Sequence, residues 1–119
     1  MSAVNYSERP DERMPLNETA VIIKEEDGFG IIIEINSEDR LPAHMHVFDA
    51  SDRRLIAKVI IPSVKPDSIN SIHPYQGYTL TDAQKKVILD VMLSKRELGV
   101  HVWKVAILAW NAEHPDSSV

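Results

Sequence analysis

Two runs of β-branched residues separated by an Asp-Gly dipeptide, in the stretch AVIIKEEDGFGIIIEIN, constrain the fold of this chain more than any other feature. Asp-Gly at 27–28 suits the positive φ angles of a type I′ turn, so the stretch predicts a β-hairpin. A two-residue turn at this position would place Ile23 opposite Ile32. It would also place Ile22 opposite Ile33, so both faces of the hairpin would be partly apolar.

A second pair of β-rich runs, HMHVFDA and RLIAKVIIP, predicts another hairpin that turns at 51–53 and stops at Pro62. The stretch TDAQ at 81–84 has the pattern of a capping box, in which two side chains satisfy free N–H groups at the start of a helix. We expect this helix to run through Lys95 and to end near Gly99. Its apolar face is predicted to consist of Val87, Ile88, Val91, Met92 and Leu98.

The last segment, VHVWKVAILAWNAEH, is rich in β-branched residues in its first half, but its larger residues recur at helical spacing. The residues at this spacing are Trp103, Ile107, Trp110 and His114. Because Pro115 follows as a stop, we predict a second helix, although 100–105 also fit a strand. The order of elements predicts an α+β fold: a four-stranded antiparallel sheet of two hairpins, with two C-terminal helices packed on one face.

The composition is that of one globular domain, with 119 residues of which 44% are apolar and 26% charged. We predict a disordered tail over 1–17, which is polar and contains two prolines, and a single domain over 18–119. The absence of cysteine excludes disulfides and thiolate metal ligands and agrees with a cytoplasmic location. The N-terminal residues lack the apolar core of a signal peptide, and no apolar run approaches the roughly 18 residues of a membrane span. We therefore expect a cytoplasmic protein without membrane association.

The net charge of −5 argues against nucleic-acid binding, which depends on neutralising phosphates with Lys and Arg. Arg53, Arg54 and Lys58 lie close in sequence and are the basic residues that such a role would use. Charged residues at such positions more often form a solvated face.

The chemistry of the chain is concentrated in LPAHMHVFDA, where one residue separates His44 from His46. Residues two apart on a strand share a face and lie about 6.6 Å apart along it, so two imidazoles can converge on one zinc or manganese ion. A zinc ion requires at least a third protein ligand. The candidates for that ligand are Glu34, Asp39, Asp49 and His73.

The register of the second hairpin decides between a structural and a metal-binding role for the histidines. A turn on 51–52 places His46 opposite Ala57, so that both histidines lie on an apolar face. A turn one residue longer places His46 opposite Lys58, on a more polar side of the sheet. The sequence leaves both registers open. It favours structural histidines, hydrogen-bonded to the backbone or a loop, over a metal site.

The stretch 63–79 is a long connection that contains Pro66, Pro74 and Gly77 and shows no clear period. Loops of this length in a compact domain are uncommon and are often functional. The candidate ligand-binding residues of the chain are His44, His46, Asp49, His73, Tyr75 and Tyr78.

The stretch LPAHMHVFDASDRRLIAKVII resembles a family of small bacterial domains of unknown function, whose signature is approximately Pro-Pro-His-Phe-His-Val. The matching residues are Pro42, His44, His46 and Val47. Ala43 replaces the second proline and Met45 stands at the position of the phenylalanine, and the likeness extends over about 20–110. The resemblance implies a gene beside a second small domain, in an arrangement like a toxin–antitoxin pair. It implies no activity.

Taken together, these patterns favour a non-enzymatic protein-interaction domain over an enzyme. Apolar residues on both faces of the sheet predict an interface at Ile23 and Ile32, for a homodimer or a protein partner. One alternative is a histidine-based or metal-dependent hydrolase that uses His44 and His46, and the other is a nucleic-acid-binding regulator. No nucleophile elbow, phosphate loop or dinucleotide fingerprint is present. We predict no cofactor unless the histidines bind zinc or manganese.

Overall fold

A computed structural model describes residues 19–119, and the predicted tail over 1–17 lies outside this range. The described strands are β1 (Thr19–Ile23), β2 (Ile31–Asn36), β3 (His44–Asp49) and β4 (Leu55–Ile60). The two α-helices of this range are α1 (Asp82–Leu93) and α2 (Val102–Glu113). The strands form a sheet of order β1-β2-β3-β4 in which all neighbours are antiparallel. The predicted α+β fold is confirmed.

The predicted two-residue turn at 27–28 is wrong. The chain forms a short 3₁₀ turn over Glu25–Asp27, because the Asp27 carboxylate accepts a hydrogen bond of 2.8 Å from the backbone N–H of Lys24. Gly28 and Gly30 follow with φ angles of 82° and 81°, which side chains disfavour. The acidic residues before the Asp-Gly dipeptide therefore lengthen the loop.

The longer loop changes the register of the first hairpin and corrects the predicted interface. Ile23 pairs with Ile33 instead of Ile32, and a bulge interrupts the pairing at Ile22. Ile23 and Ile32 are 0% and 5% exposed, so neither belongs to an exposed apolar patch. Ile32 lines a cleft together with Arg53 and with residues 24–26 of the loop after β1.

The second hairpin combines features of both predicted registers. His46 pairs with Lys58, as expected for the longer turn, whereas Phe48 pairs with Leu55, as expected for the shorter one. A bulge at Ile56 reconciles the two pairings, because it adds one residue to β4. The sequence contains no Gly or Pro that would have indicated this bulge.

Helix α1 begins at the predicted capping box. Thr81 Oγ1 accepts from the backbone N–H of Gln84 at 3.1 Å, and Gln84 Oε1 accepts from the backbone N–H of Thr81 at 2.8 Å. The helix ends at Leu93, earlier than predicted, and a 3₁₀ turn over Glu97–Gly99 follows. Leu98, predicted for the apolar face, is instead fully exposed.

Helix α2 confirms that the last segment is helical from Val102 onward. Its buried face consists of Val102, Ala106 and Trp110, while Trp103 and Ile107 are half-buried. The helix ends at Glu113 and His114 follows as its C-cap, directly before the predicted stop at Pro115.

One hydrophobic core joins the sheet to both helices. Its fully buried side chains are Ile23, Ile33, Ile35, Met45, Val47, Val59, Ile72, Ile88, Val91, Met92, Val102 and Trp110. Neither of the helices within residues 19–119 is long and apolar enough to cross a membrane.

The long connection between β4 and α1 runs beside β4 for a few residues. Val59 and Pro74 form an antiparallel bridge. The backbone N–H of Ile60 donates to the His73 carbonyl at 2.9 Å, and the N–H of Tyr75 donates to the Lys58 carbonyl at 2.8 Å. This pairing fixes Tyr75 beside β4, from which its ring reaches His44 of β3.

Candidate metal site

Strand β3 places the imidazoles of His44 and His46 on the same side of the sheet. Their ring centroids are 5.9 Å apart and their planes differ by only 14°. The intervening Met45 is fully buried on the opposite side, in the core. The alternation of a strand thus aligns the two rings as expected from their spacing.

The turn before β3 brings Asp39 to the two histidines. In this turn the backbone N–H of Asp39 donates to the carbonyl of Asn36 at 3.2 Å, and the N–H of Glu38 donates to Asn36 Oδ1 at 2.8 Å. Asp39 Oδ2 lies 2.7 Å from His46 Nε2 and 3.4 Å from His44 Nε2. One ligand atom from each of the three side chains lies within 4.8 Å of the other two.

The hydrogen bonds of His44 fix the position of its proton. His44 Nδ1 lies 2.9 Å from the carbonyl oxygen of Pro42, which can only accept, so the proton lies on Nδ1. Burial lowers the pKa of His44 and favours the neutral ring, despite the opposing effects of the Pro42 carbonyl and the Asp39 charge. Nε2 of the neutral ring therefore directs a lone pair at the Asp39 carboxylate.

This arrangement leaves two acceptors facing each other. His46 Nε2 satisfies Asp39 Oδ2 with a hydrogen bond, but no hydrogen lies between that oxygen and the lone pair of His44 Nε2. Two acceptor atoms at 3.4 Å repel each other, and a cation between them removes the repulsion. The site is electrostatically suited to a positive ion.

The three side chains lie just below the protein surface. The side chain of His44 is 3% exposed, that of Asp39 14% and that of His46 19%. Within the cluster, His46 is therefore the most exposed member and His44 the most buried. This asymmetry would leave room for a solvent or substrate molecule beside His46.

Aromatic rings hold His44 in place. The Tyr75 ring lies 3.9 Å from the His44 ring, and the Trp110 ring lies 5.9 Å from it, measured between centroids. Trp110 in turn stacks on His114 at 3.6 Å. The sequence identified Tyr75 as a candidate ligand-binding residue, whereas Trp110 entered the sequence analysis only as part of a helical spacing.

His114 lies at the C-terminal end of α2 as predicted, but it is buried. Its Nδ1 lies 2.9 Å from the Trp110 carbonyl oxygen. Its Nε2 is buried and has no hydrogen-bond partner within the described part of the chain.

Charged residues flank His46 on the neighbouring strands. Glu34 pairs with His46 from β2 and Lys58 pairs with it from β4. Glu34 lies outside the group of ligand atoms within 4.8 Å. Lys58 Nζ lies 5.9 Å from the centroid of the Tyr78 ring, so the predicted candidate Tyr78 is a neighbour of Lys58.

The other predicted ligands do not join the cluster. Asp49 is at the opposite end of β3, where its carboxylate accepts from the side chain and backbone of Ser51, and these hydrogen bonds lower its pKa. His73 is exposed and takes part in the fold through its backbone carbonyl. Of the four candidates for the third ligand, the structure brings only Asp39 to the histidines.

Comparison of the chain with protein-family models, with curated protein sequences and with solved structures finds no match. The resemblance to the bacterial family with the Pro-Pro-His-Phe-His-Val signature therefore stays a prediction. The geometry of the cluster is the basis for inferring a function.

Proposed function

We propose that this protein binds one divalent transition-metal ion, zinc or manganese, through Asp39, His44 and His46. The convergence of two imidazole nitrogens and a carboxylate oxygen within 4.8 Å is the observation that carries the proposal. Imidazole and carboxylate are ordinary ligands of both metals. A ligating histidine usually donates its other N–H to a carbonyl or carboxylate, as His44 does toward Pro42.

The distances fit a metal ion after a small adjustment. Ligand atoms on a tetrahedral zinc ion with bonds of about 2.1 Å are about 3.4 Å apart. The separation between His44 Nε2 and Asp39 Oδ2 is already 3.4 Å. The separation between His46 Nε2 and Asp39 Oδ2 is 2.7 Å because a hydrogen bond joins them. To exchange that proton for a metal ion, the two atoms must move farther apart, and the increase in their distance is less than about 1 Å.

Three protein ligands and an open side are typical of catalytic zinc sites, which keep one position for water or substrate. Zinc in such sites lowers the pKa of a bound water to about 7 and so supplies a nucleophile at neutral pH. We therefore propose a metal-dependent hydrolase. In this protein Asp39 and the two histidines hold the ion, and the exposed side of His46 admits the substrate.

The experiment is a metal-binding measurement on protein purified without a histidine tag. We expect one zinc or manganese ion per chain by elemental analysis, and saturable binding to chelator-treated protein in calorimetry. Asp39→Asn should weaken the affinity by more than about 100-fold, because it removes a direct ligand and not an outer one. Asp49→Asn is the matched control, since this carboxylate lies at the other end of the same strand, and it should bind like the wild type. Wild-type protein that binds no metal, or Asp39→Asn protein that binds it unchanged, would refute the proposal.

The predicted interaction domain now has weaker support. Burial of Ile23 and Ile32 removes the exposed patch on which the homodimer or protein partner was based. The toxin–antitoxin-like role and the cytoplasmic location depend on sequence patterns alone. Light scattering over a range of protein concentrations tests the homodimer directly.

The nucleic-acid hypothesis also has weaker support, because its three basic residues lie in different surroundings. Arg53 forms an ion pair of 3.1 Å with Glu25, whereas Arg54 lines a cleft beside α1. Lys58 lies beside the metal site.

A further inference from the structure

We infer that the metal site takes an oxyanion, a phosphate or carboxylate group, which bridges the metal ion and the ammonium group of Lys58. This inference rests on the proposed metal site and adds the class of ligand that the site would recognise. Lys58 is the group that carries it.

Lys58 is on the same side of the sheet as the ligands. It pairs directly with His46 across β3 and β4, and side chains in that relation have Cβ atoms about 4.5–5.5 Å apart. Lys58 and His46 are therefore direct neighbours on that side of the sheet.

Lys58 has no carboxylate partner within 4.0 Å among residues 19–119. Its nearest described contact is with the face of the Tyr78 ring, at 5.9 Å. Residue Lys58 is half-buried, and the chain segment around Tyr75 pairs with the outer edge of β4 beside it. An ammonium group that has an aromatic face as a neighbour and no paired carboxylate retains its capacity to bind an anion.

The charges around His46 determine where that anion would lie. Glu34 is on one side of His46 and repels it, whereas Lys58 is on the other side and attracts it. The side chains of Tyr75 and Tyr78 are on the Lys58 side as well. An oxyanion with one oxygen on the metal ion and another on Lys58 would therefore lie toward the long connection, whose length the sequence associates with function.

The test uses the full chain loaded with cobalt(II), whose visible absorption reports changes at the metal. Inorganic phosphate and acetate are titrated separately, and the two series distinguish a phosphate site from a carboxylate site. We expect saturable binding of at least one of them to the loaded protein and much weaker binding to metal-free protein. Lys58→Met should weaken anion binding by about 10- to 100-fold, because it removes one charge-assisted hydrogen bond. The affinity of this variant for cobalt should stay within about threefold of the wild-type affinity.

Lys58→Arg, which keeps the charge, should retain most of the anion affinity. Lys104→Met, at an exposed lysine of α2, is the control for a general loss of positive charge. Equal anion affinity in Lys58→Met and wild type, equal affinity with and without metal, or no binding of either anion would overturn the inference while the metal site stands. A wild-type chain that fails to bind cobalt, zinc or manganese would overturn the metal site, and the inference with it.

Discussion

Replacing His44 or His46 by alanine should affect metal binding alike but stability very differently. Each substitution removes one of the three proposed ligands. In metal-free protein, however, the His44 side chain is 3% exposed and the His46 side chain is 19% exposed. The difference in burial predicts that His44→Ala destabilises the fold much more.

The magnitudes follow from what each ring contacts. The His44 ring packs against Tyr75 at 3.9 Å and donates to the Pro42 carbonyl, so its removal opens a buried cavity and breaks a hydrogen bond. Large-to-small substitutions at such positions cost about 2–5 kcal/mol. Relief of the repulsion between His44 Nε2 and Asp39 offsets part of this cost, and we expect a loss of about 2–4 kcal/mol. The His46 ring mainly loses its hydrogen bond to Asp39, so we expect a loss of about 1 kcal/mol.

Urea denaturation in the presence of a chelator measures both values, with the tryptophans as the fluorescent probe. We take a slope of about 2 kcal/mol per molar urea for the free energy of unfolding. With this slope, His44→Ala should lower the urea midpoint by about 1–2 M and His46→Ala by about 0.5 M. His44→Gln, which fills more of the space, should lie between them. Equal losses in the two alanine variants, or a loss below about 1 kcal/mol for His44→Ala, would refute the assignment of His44 as the buried, packed member of the cluster.

Three further predictions concern single groups. The folded protein lowers the pKa of His44 from its usual 6.5, so below that pH the unfolded chain binds a proton that the folded protein resists. The free energy of unfolding of metal-free protein should therefore fall between pH 7.5 and pH 5 more in wild type than in His44→Gln, and parallel pH curves from urea titrations would contradict this. Thr81→Ala removes the cap of α1 and should cost about 1 kcal/mol, while Thr79→Ala at an exposed loop position should stay within about 0.5 kcal/mol. Leu98 is fully exposed and has a φ of 66°, a left-handed conformation that Asn tolerates better than Leu. Leu98→Asn should therefore raise the free energy of unfolding by up to about 1 kcal/mol, whereas Leu108→Asn, on the exposed face of α2, should not. A lower urea midpoint for Leu98→Asn than for wild type would contradict this prediction.

The features that the sequence predicted correctly are those set by neighbours along the chain. The capping box at 81–84 is a contact between residues three apart, and both of its hydrogen bonds are present. The common side of His44 and His46 follows from the alternation of a single strand. Neither feature depends on how the rest of the chain packs.

The features that were missed depend on hydrogen bonds or contacts that the sequence does not display. The loop after β1 is longer than predicted because the Asp27 carboxylate accepts a hydrogen bond from the backbone N–H of Lys24. The prediction of a turn at 27–28 did not include this hydrogen bond. The bulge at Ile56 changed the register of β4 without any Gly or Pro to indicate it. Burial of Ile32 depends on the three-dimensional packing around it, which no strand pattern describes.

The candidate site also combines features set by neighbours along the chain with features that depend on tertiary packing. Its ligands are local, because Asp39, His44 and His46 lie within eight consecutive residues, on one turn and the strand that follows. The neutral state of His44 is not local: it requires burial beneath Tyr75 and Trp110, which come from distant parts of the chain. A ligand must be deprotonated before it binds a metal ion, and the fold meets this requirement for His44 in advance. The proposed ligands therefore come from one short segment, whereas the neutral state of His44 depends on side chains from other parts of the fold.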